Sequence, residues 1–202
     1  MMQLYAAGAS PFVRKVRVCL LELGLTDQVE QIDVANTPFA PHDALIEQNP
    51  LGKIPCLVCA DGSVIYDSRV ITRYLDDYAG GKLYPASLNL WRILTLEALA
   101  DGMMEAAVLM VYEKRIRPDE KVYGDWIEAQ WAKIARALDA LENGWVGHFG
   151  GSAGMAHIAV GVALEYLDFR HADRDWRKGH DALAKWQAAF SKRDAMQQTQ
   201  PK

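Results

Sequence analysis

Residues 2–7 (Met-Gln-Leu-Tyr-Ala-Ala) form a short apolar run that ends at Gly8 and predicts a first strand. Ser10-Pro11 follows as a helix start, because serine suits the N-cap and proline the first helical position. Val13, Val16, Leu20 and Leu23 recur at helical spacing, while Arg14, Lys15 and Arg17 lie mostly off that stripe. Gly24 is a natural stop. Gln28–Val34 reads as a second strand, followed by a loop and a short helix near His42–Gln48. Ile54–Tyr66 is the clearest β segment, with Asp61-Gly62 between apolar runs as a hairpin signal. Asp67-Ser68 then opens a helix through Val70, Ile71, Tyr74 and Leu75. This order predicts a small α/β unit of roughly 80 residues with a mixed sheet.

The pattern changes after Ala79. Ala79-Gly80-Gly81-Lys82-Leu83-Tyr84-Pro85 is turn-rich, and no convincing strand follows it. The expected organisation is an α/β domain over 1–79, a linker over 80–86 and an all-helical domain over 87–202. Residues 87–113 read as one long helix. Tyr123–Asn143 reads as a second, with Trp126, Ile127, Trp131, Ile134, Leu138 and Leu141 on one face and Gly144 ending it. Met155–Leu167 is apolar nearly all round, which predicts the buried centre of the second half. His180–Phe190 is a fourth helix, and Gln197–Lys202 is expected to be a frayed polar tail.

Composition narrows the function classes. The chain has 202 residues, half of them hydrophobic and 24% charged, so a packed core is expected rather than disorder. A net charge of −4 argues against an electrostatic nucleic-acid binder, and Arg14, Lys15 and Arg17 read as a solvated face. No apolar run of about 18 residues predicts a membrane span, and Met1–Phe12 does not read as a secretory signal. Three cysteines fit a reducing cytoplasm better than a disulfide framework.

Three features in the first half carry candidate chemistry. Ser10 places a hydroxyl at a helix start, where exposed N–H groups and the helix dipole favour an anion. Such a site can lower a thiol pKa, each unit being worth about 1.4 kcal/mol of thiolate stabilisation. Asn49-Pro50-Leu51-Gly52-Lys53-Ile54-Pro55 is a tight loop leading into a strand. A cis proline there would turn the Ile54 backbone toward an extended peptide. Tyr66-Asp67-Ser68-Arg69 offers an acceptor for an ammonium and donors for a carboxylate, as an α-amino-acid end requires. Each feature alone also reads as local structure: a cap, a Pro-Gly turn and a second cap.

Taken together, Ser10-Pro11-Phe12, Lys53-Ile54-Pro55 and Asp67-Ser68, followed by a linker and a helical half, resemble bacterial, serine-type members of the glutathione S-transferase family. The resemblance covers nearly the whole chain. It implies a thioredoxin-like α/β N-terminal domain, an all-α C-terminal domain and a homodimer. It further implies that Ser10 hydrogen-bonds the glutathione sulfur, that the Ile54 backbone beside Pro55 pairs with the cysteinyl portion, that Asp67 and Ser68 hold the γ-glutamyl group, and that Lys53 meets the glycyl carboxylate. Asp67 is one methylene shorter than the family's commoner Glu or Gln. The implied activity is glutathione transfer to a small hydrophobic electrophile, with detoxification as its setting and no metal. Two alternatives share the architecture: a non-catalytic glutathione- or protein-binding module, as in stringent-starvation-type relatives, and a glutathione-dependent peroxidase or isomerase.

Phe12, Met103, Met104, Met110 and Tyr112 are the candidates for the acceptor pocket, which the family forms between helix one and the long second-half helices; a Met or aromatic at helical spacing is more often core. Asp101 is a candidate for a glutathione ammonium across a dimer interface, with a solvated helix face as the alternative. The family's central helix opens with a Ser or Thr and, three residues later, an Asp; Gly154 and His157 stand at those positions here, and His157 is expected to cap or pack. Cys56 and Cys59 lie three apart in a predicted strand, so they point to opposite faces and form no redox pair. The histidines lack metal-ligand spacing.

Overall fold

A computed structural model describes residues 1–85 and 89–201. The chain divides into two compact units, one of Met1–Ser87 with Asp194–Lys202, and another of Leu88–Arg193.

The first unit is built on a four-stranded mixed sheet of β1 (Met2–Ala6), β2 (Val29–Asp33), β3 (Cys56–Val58) and β4 (Val64–Ile65) in the order β2-β1-β3-β4. β1 runs parallel to β2 and antiparallel to β3, with Leu4 opposite Leu57; β3 and β4 form the expected hairpin. The last two strands are shorter than the apolar pattern suggests. Pro55 has no N–H for the ladder, so pairing starts at Cys56.

Helix α1 (Pro11–Leu23) starts and stops where the local signals place it. Ser10 caps it, accepting from the Val13 N–H at 3.3 Å, and Gly24 closes it in the left-handed region at φ 68°. The basic face does not hold as expected: Lys15 is fully buried and Arg14 nearly so. α1 is covered from more than one side, by α3 (Ser68–Tyr78) and by α8 (Asp194–Gln198), so its buried surface is wider than one apolar stripe. The expected frayed tail over Gln197–Lys202 begins inside α8, with Gln197 and Gln198 helical and Thr199 buried, while Lys202 lies outside the described residues. The expected second domain over 87–202 thus includes Asp194–Lys202, which group with the first unit instead.

Helix α2 (Asp43–Gln48) and α3 complete this unit, Asp67 capping α3 by accepting from the Arg69 N–H at 2.9 Å. Past α3, Gly80 and Gly81 turn through φ 92° and 70°. The buried Asp76 carboxylate accepts from the Lys82, Leu83 and Tyr84 N–H groups at 2.7, 2.7 and 3.1 Å. A turn-rich sequence therefore has one fixed path. The last residue of the expected linker, Ala86, lies outside the described residues.

In the second unit α4 (Asn89–Ile116) packs against α5 (Gly124–Ala140) and α6 (Met155–Arg170), and α7 (Asp181–Phe190) lies against α6. The expected start of α4 at residues 87–88 lies outside the described residues. Gly144 does not end α5: the chain continues through a wider, π-type turn over Leu141–Trp145. As its all-apolar pattern predicts, α6 is the buried helix, from Met155 through Leu167. Among the described residues no helix is long and apolar enough to cross a membrane.

Both ends of α6 carry a histidine bond, half-buried at His157 and buried at His171. Gly154 has no side chain with which to cap, so His157 supplies half a capping box: the Gly154 N–H donates to its Nδ1 at 3.1 Å. The His157 ring lies among Phe149, Trp186 and Phe190. At the other end His171 Nε2 lies 3.0 Å from the Ala107 carbonyl, which can only accept. Burial holds both imidazoles below their ordinary pKa.

Two outcomes follow from these buried polar groups. Asp76→Ala leaves three backbone N–H groups without their acceptor and should cost about 3 kcal/mol of stability in urea denaturation. For the histidines the unfolded chain binds protons more readily than the fold does. Their stabilisation is therefore complete above the unfolded value of about 6.5 and declines as pH falls below it. The urea midpoint should drop between pH 7.5 and 5.5, and His157→Asn, whose acceptor does not titrate, should flatten part of that slope.

Candidate functional site

Strand register brings the three sequence features to one end of the sheet. β1 pairs with β3 through Leu4–Leu57 and Tyr5–Cys56, so one further step sets Ala6 opposite Pro55. β3 pairs with β4 through Leu57–Ile65, and two further steps set Pro55 opposite Asp67. The turn from β1 into Ser10, the loop into Ile54-Pro55 and the turn into Asp67-Ser68 therefore open at the same edge.

At the first turn the Ser10 N–H donates to the Ala7 carbonyl at 3.1 Å, and the Arg14 N–H donates to the Ser10 carbonyl at 3.0 Å. Ser10 Oγ accepts from Val13, which leaves the hydroxyl proton to be donated outward. Phe12 is half-buried on the same turn.

At the second turn the Ile54–Pro55 peptide is cis. Ile54 is half-buried and lies two residues before the first β1–β3 pair; Lys53 is exposed. Asn49, itself buried, holds this loop: its Nδ2 donates to the Lys53 carbonyl at 2.8 Å and its Oδ1 accepts from the Leu51 N–H at 3.1 Å. Asn36 Nδ2 donates to the Gly52 carbonyl at 2.9 Å. Gly52 sits at φ 58°, and a Cβ there would lie 3.3 Å from Pro41 Cβ, so glycine is needed.

At the third turn the Tyr66–Asp67 peptide is also cis. Ser68 is buried; the Asp67 carboxylate is exposed and lies 3.2 Å from Arg69 Nη2. Burial raises the Asp67 carboxyl. The Arg69 hydrogen bonds and the charges of Arg69 and Lys15 outweigh this and hold it below the usual range, so it is an anion at neutral pH. The buried Lys15 thus brings positive charge from α1 toward the third turn.

The remaining candidates lie on other elements. Met103, Met104 and Met110 are buried core residues of α4, whereas Tyr112 is partly exposed. Asp101 is buried rather than on a solvated face. Cys19, Cys56 and Cys59 are buried and form no disulfide. Cys56 packs with Tyr5, Val34 and Leu45, and burial pushes its thiol up to about 11. Cys59 instead bonds Tyr74, whose hydroxyl is pushed up to about 12 mainly by that bond. Among the described residues no group of three His, Cys, Asp or Glu side chains could hold a metal ion. Asn49 is a loop-holding residue whose role the sequence pattern does not single out; an Asn directly before a Pro-x-Gly turn is its available signal.

The architecture is a thioredoxin-like N-terminal sheet domain followed by an all-helical C-terminal domain, the glutathione S-transferase fold. Family models for the glutathione S-transferase N-terminal and C-terminal domains match residues 9–78 and 124–189. The GST-like protein YibF of Escherichia coli K12 is 33% identical over 204 residues, covering 99% of this chain and 98% of the relative. A glutathione transferase family member from Pseudomonas fluorescens Pf-5, solved with bound glutathione, is 45% identical with a TM-score of 0.98 over all of both chains. A glutathione S-transferase from Methylobacillus flagellatus KT, also solved with glutathione, is 35% identical with a TM-score of 0.88 over all of both chains. The chain belongs to the glutathione S-transferase family.

Proposed function

We propose that this protein is a glutathione transferase that holds glutathione as a thiolate for attack on a small hydrophobic electrophile. The observation that carries the reading is the meeting of Ser10, Ile54-Pro55 and Asp67-Ser68 at one end of the sheet. An extended tripeptide laid along that edge matches each turn with one of its groups. The Ile54 backbone pairs with the cysteinyl residue. Asp67 faces the γ-glutamyl ammonium, Ser68 and the N-terminus of α3 face its carboxylate, and Lys53 meets the glycyl carboxylate. The sulfur then lies at the first turn of α1, where the Ser10 hydroxyl donates to it and the helix N-terminus favours its negative charge.

The reaction needs no covalent enzyme intermediate. The thiol proton leaves to solvent, the sulfur lone pair forms a bond to electrophilic carbon, and the displaced leaving group carries off the bonding pair. Binding supplies orientation; the lowered pKa supplies a nucleophile at neutral pH. We place the protein in a reducing cytoplasm, where its three cysteines stay thiols, and as a homodimer, for which the exposed Phe39 and Leu51 offer apolar surface.

Ser10→Ala should leave glutathione affinity nearly unchanged by calorimetry and raise the pKa of the bound thiol by about one to two units. Conjugation of a chloronitroaromatic should slow correspondingly below the new pKa; an unchanged pH–rate profile rejects the role of Ser10. Asp67→Asn removes the charge opposite the ammonium and should weaken glutathione binding about tenfold without moving the thiol pKa.

A further inference from the structure

α8 lies outside both matched family regions, yet it is bound to the helix that carries Ser10. The link is Arg14. This arginine sits in the first turns of α1, is almost fully buried, and closes the turn at Ser10 with its own N–H. Its Nη2 donates to the Met196 carbonyl at 3.1 Å and its Nε to Thr199 Oγ1 at 3.3 Å. Thr199 Oγ1 in turn donates to the Ala195 carbonyl at 2.8 Å. The Met196 and Ala195 carbonyls belong to the last turn of α8, where helical carbonyls lack partners within the helix and carry partial negative charge.

The arrangement is reciprocal. The guanidinium completes the C-terminus of α8, and the oriented carbonyls and the hydroxyl compensate a cation withdrawn from water. A buried charge has few alternative positions, so the rotation of α1 about its axis is fixed from the Arg14 side. The buried Ala195 and Met196 side chains seal the same contact. Ser10 Oγ lies one turn away on the same rigid element, and the strength of its bond to sulfur depends on distance and angle.

We infer that α8 is a positioning element of the thiol site, acting through Thr199 and Arg14 to hold the first turn of α1 in the orientation at which Ser10 meets the sulfur. This rests on the reading of Ser10 proposed above. The residues concerned touch no substrate. Their effect is to keep the capped turn where the hydroxyl and the helix N–H groups point at the thiolate.

The test compares the full chain with Thr199→Val, which keeps the side-chain shape and removes the hydroxyl, and Thr199→Ser, which restores it. The ultraviolet thiolate band of bound glutathione is titrated against pH, with calorimetry for affinity and thermal melting for folding. Thr199→Val should raise the bound-thiol pKa by about half a unit or more and lower kcat/KM several-fold below that pKa. KM for glutathione should stay within about twofold, and Thr199→Ser should behave as the parent. Arg14→Lys keeps a cation but cannot span both acceptors, and should shift the pKa in the same direction. A Thr199→Val protein that melts lower yet titrates like the parent overturns the inference and leaves α8 a stabilising tail. A parent with no thiolate band overturns the glutathione reading and this one together. A band shifted by Ser10→Ala but by neither Thr199→Val nor Arg14→Lys overturns this one alone.

Discussion

The antiparallel register of β1 against β3 is the constraint on which the rest depends. Leu4 and Leu57 are fully buried opposite each other at the middle of the sheet, and a slip of one residue would turn both apolar sets to the wrong face. That pairing decides which turns share an end. It puts the exit of β1, the entry to β3 and, through the short β4, the entry to α3 at one edge. The candidate site is therefore a by-product of core packing, made of turns that the core leaves no freedom to separate.

Buried polar side chains then fix two irregular segments, one of them at this edge. Asn49 binds the loop before Ile54 by both ends of its amide, and Asp76 binds the turn after α3 through three backbone donors. In each case a short irregular segment would otherwise bury unsatisfied N–H or carbonyl groups. One side chain removes that cost and leaves a single conformation. Precision in the loop before Ile54 thus comes from the Asn49 amide, and the path leaving α3 at its other end from the Asp76 carboxylate.

What the sequence discloses follows the range of each signal. Ser10-Pro11, Gly24 and Asp67 act within a few residues, and the helix ends they mark stand where they predict. The apolar α6 also declares its burial, since a helix with no polar face has nowhere else to go. Arg14 and Lys15 defeat the pattern because a helical stripe describes one face. It carries no information about a second covering element from almost two hundred residues away. The same blindness makes the end of α8 and the buried Thr199 part of a frayed tail. Gly144 signals a stop on propensity alone, whereas packing carries the chain through a wider turn. For the acceptor candidates periodicity marks residues that face inward without saying what they face: Met103, Met104 and Met110 are buried.

The non-contiguous make-up of the first unit bears on how the protein is born. Its sheet, α1 and α3 leave the ribosome early, but the partner that covers Arg14 is still unmade. At ordinary elongation rates the intervening Leu88–Arg193 segment takes about 5 to 20 s to synthesise. Through that interval a nascent chain carries α1 with its C-terminal cover missing. Final consolidation of the N-terminal unit is thus a late, post-helical event in biogenesis.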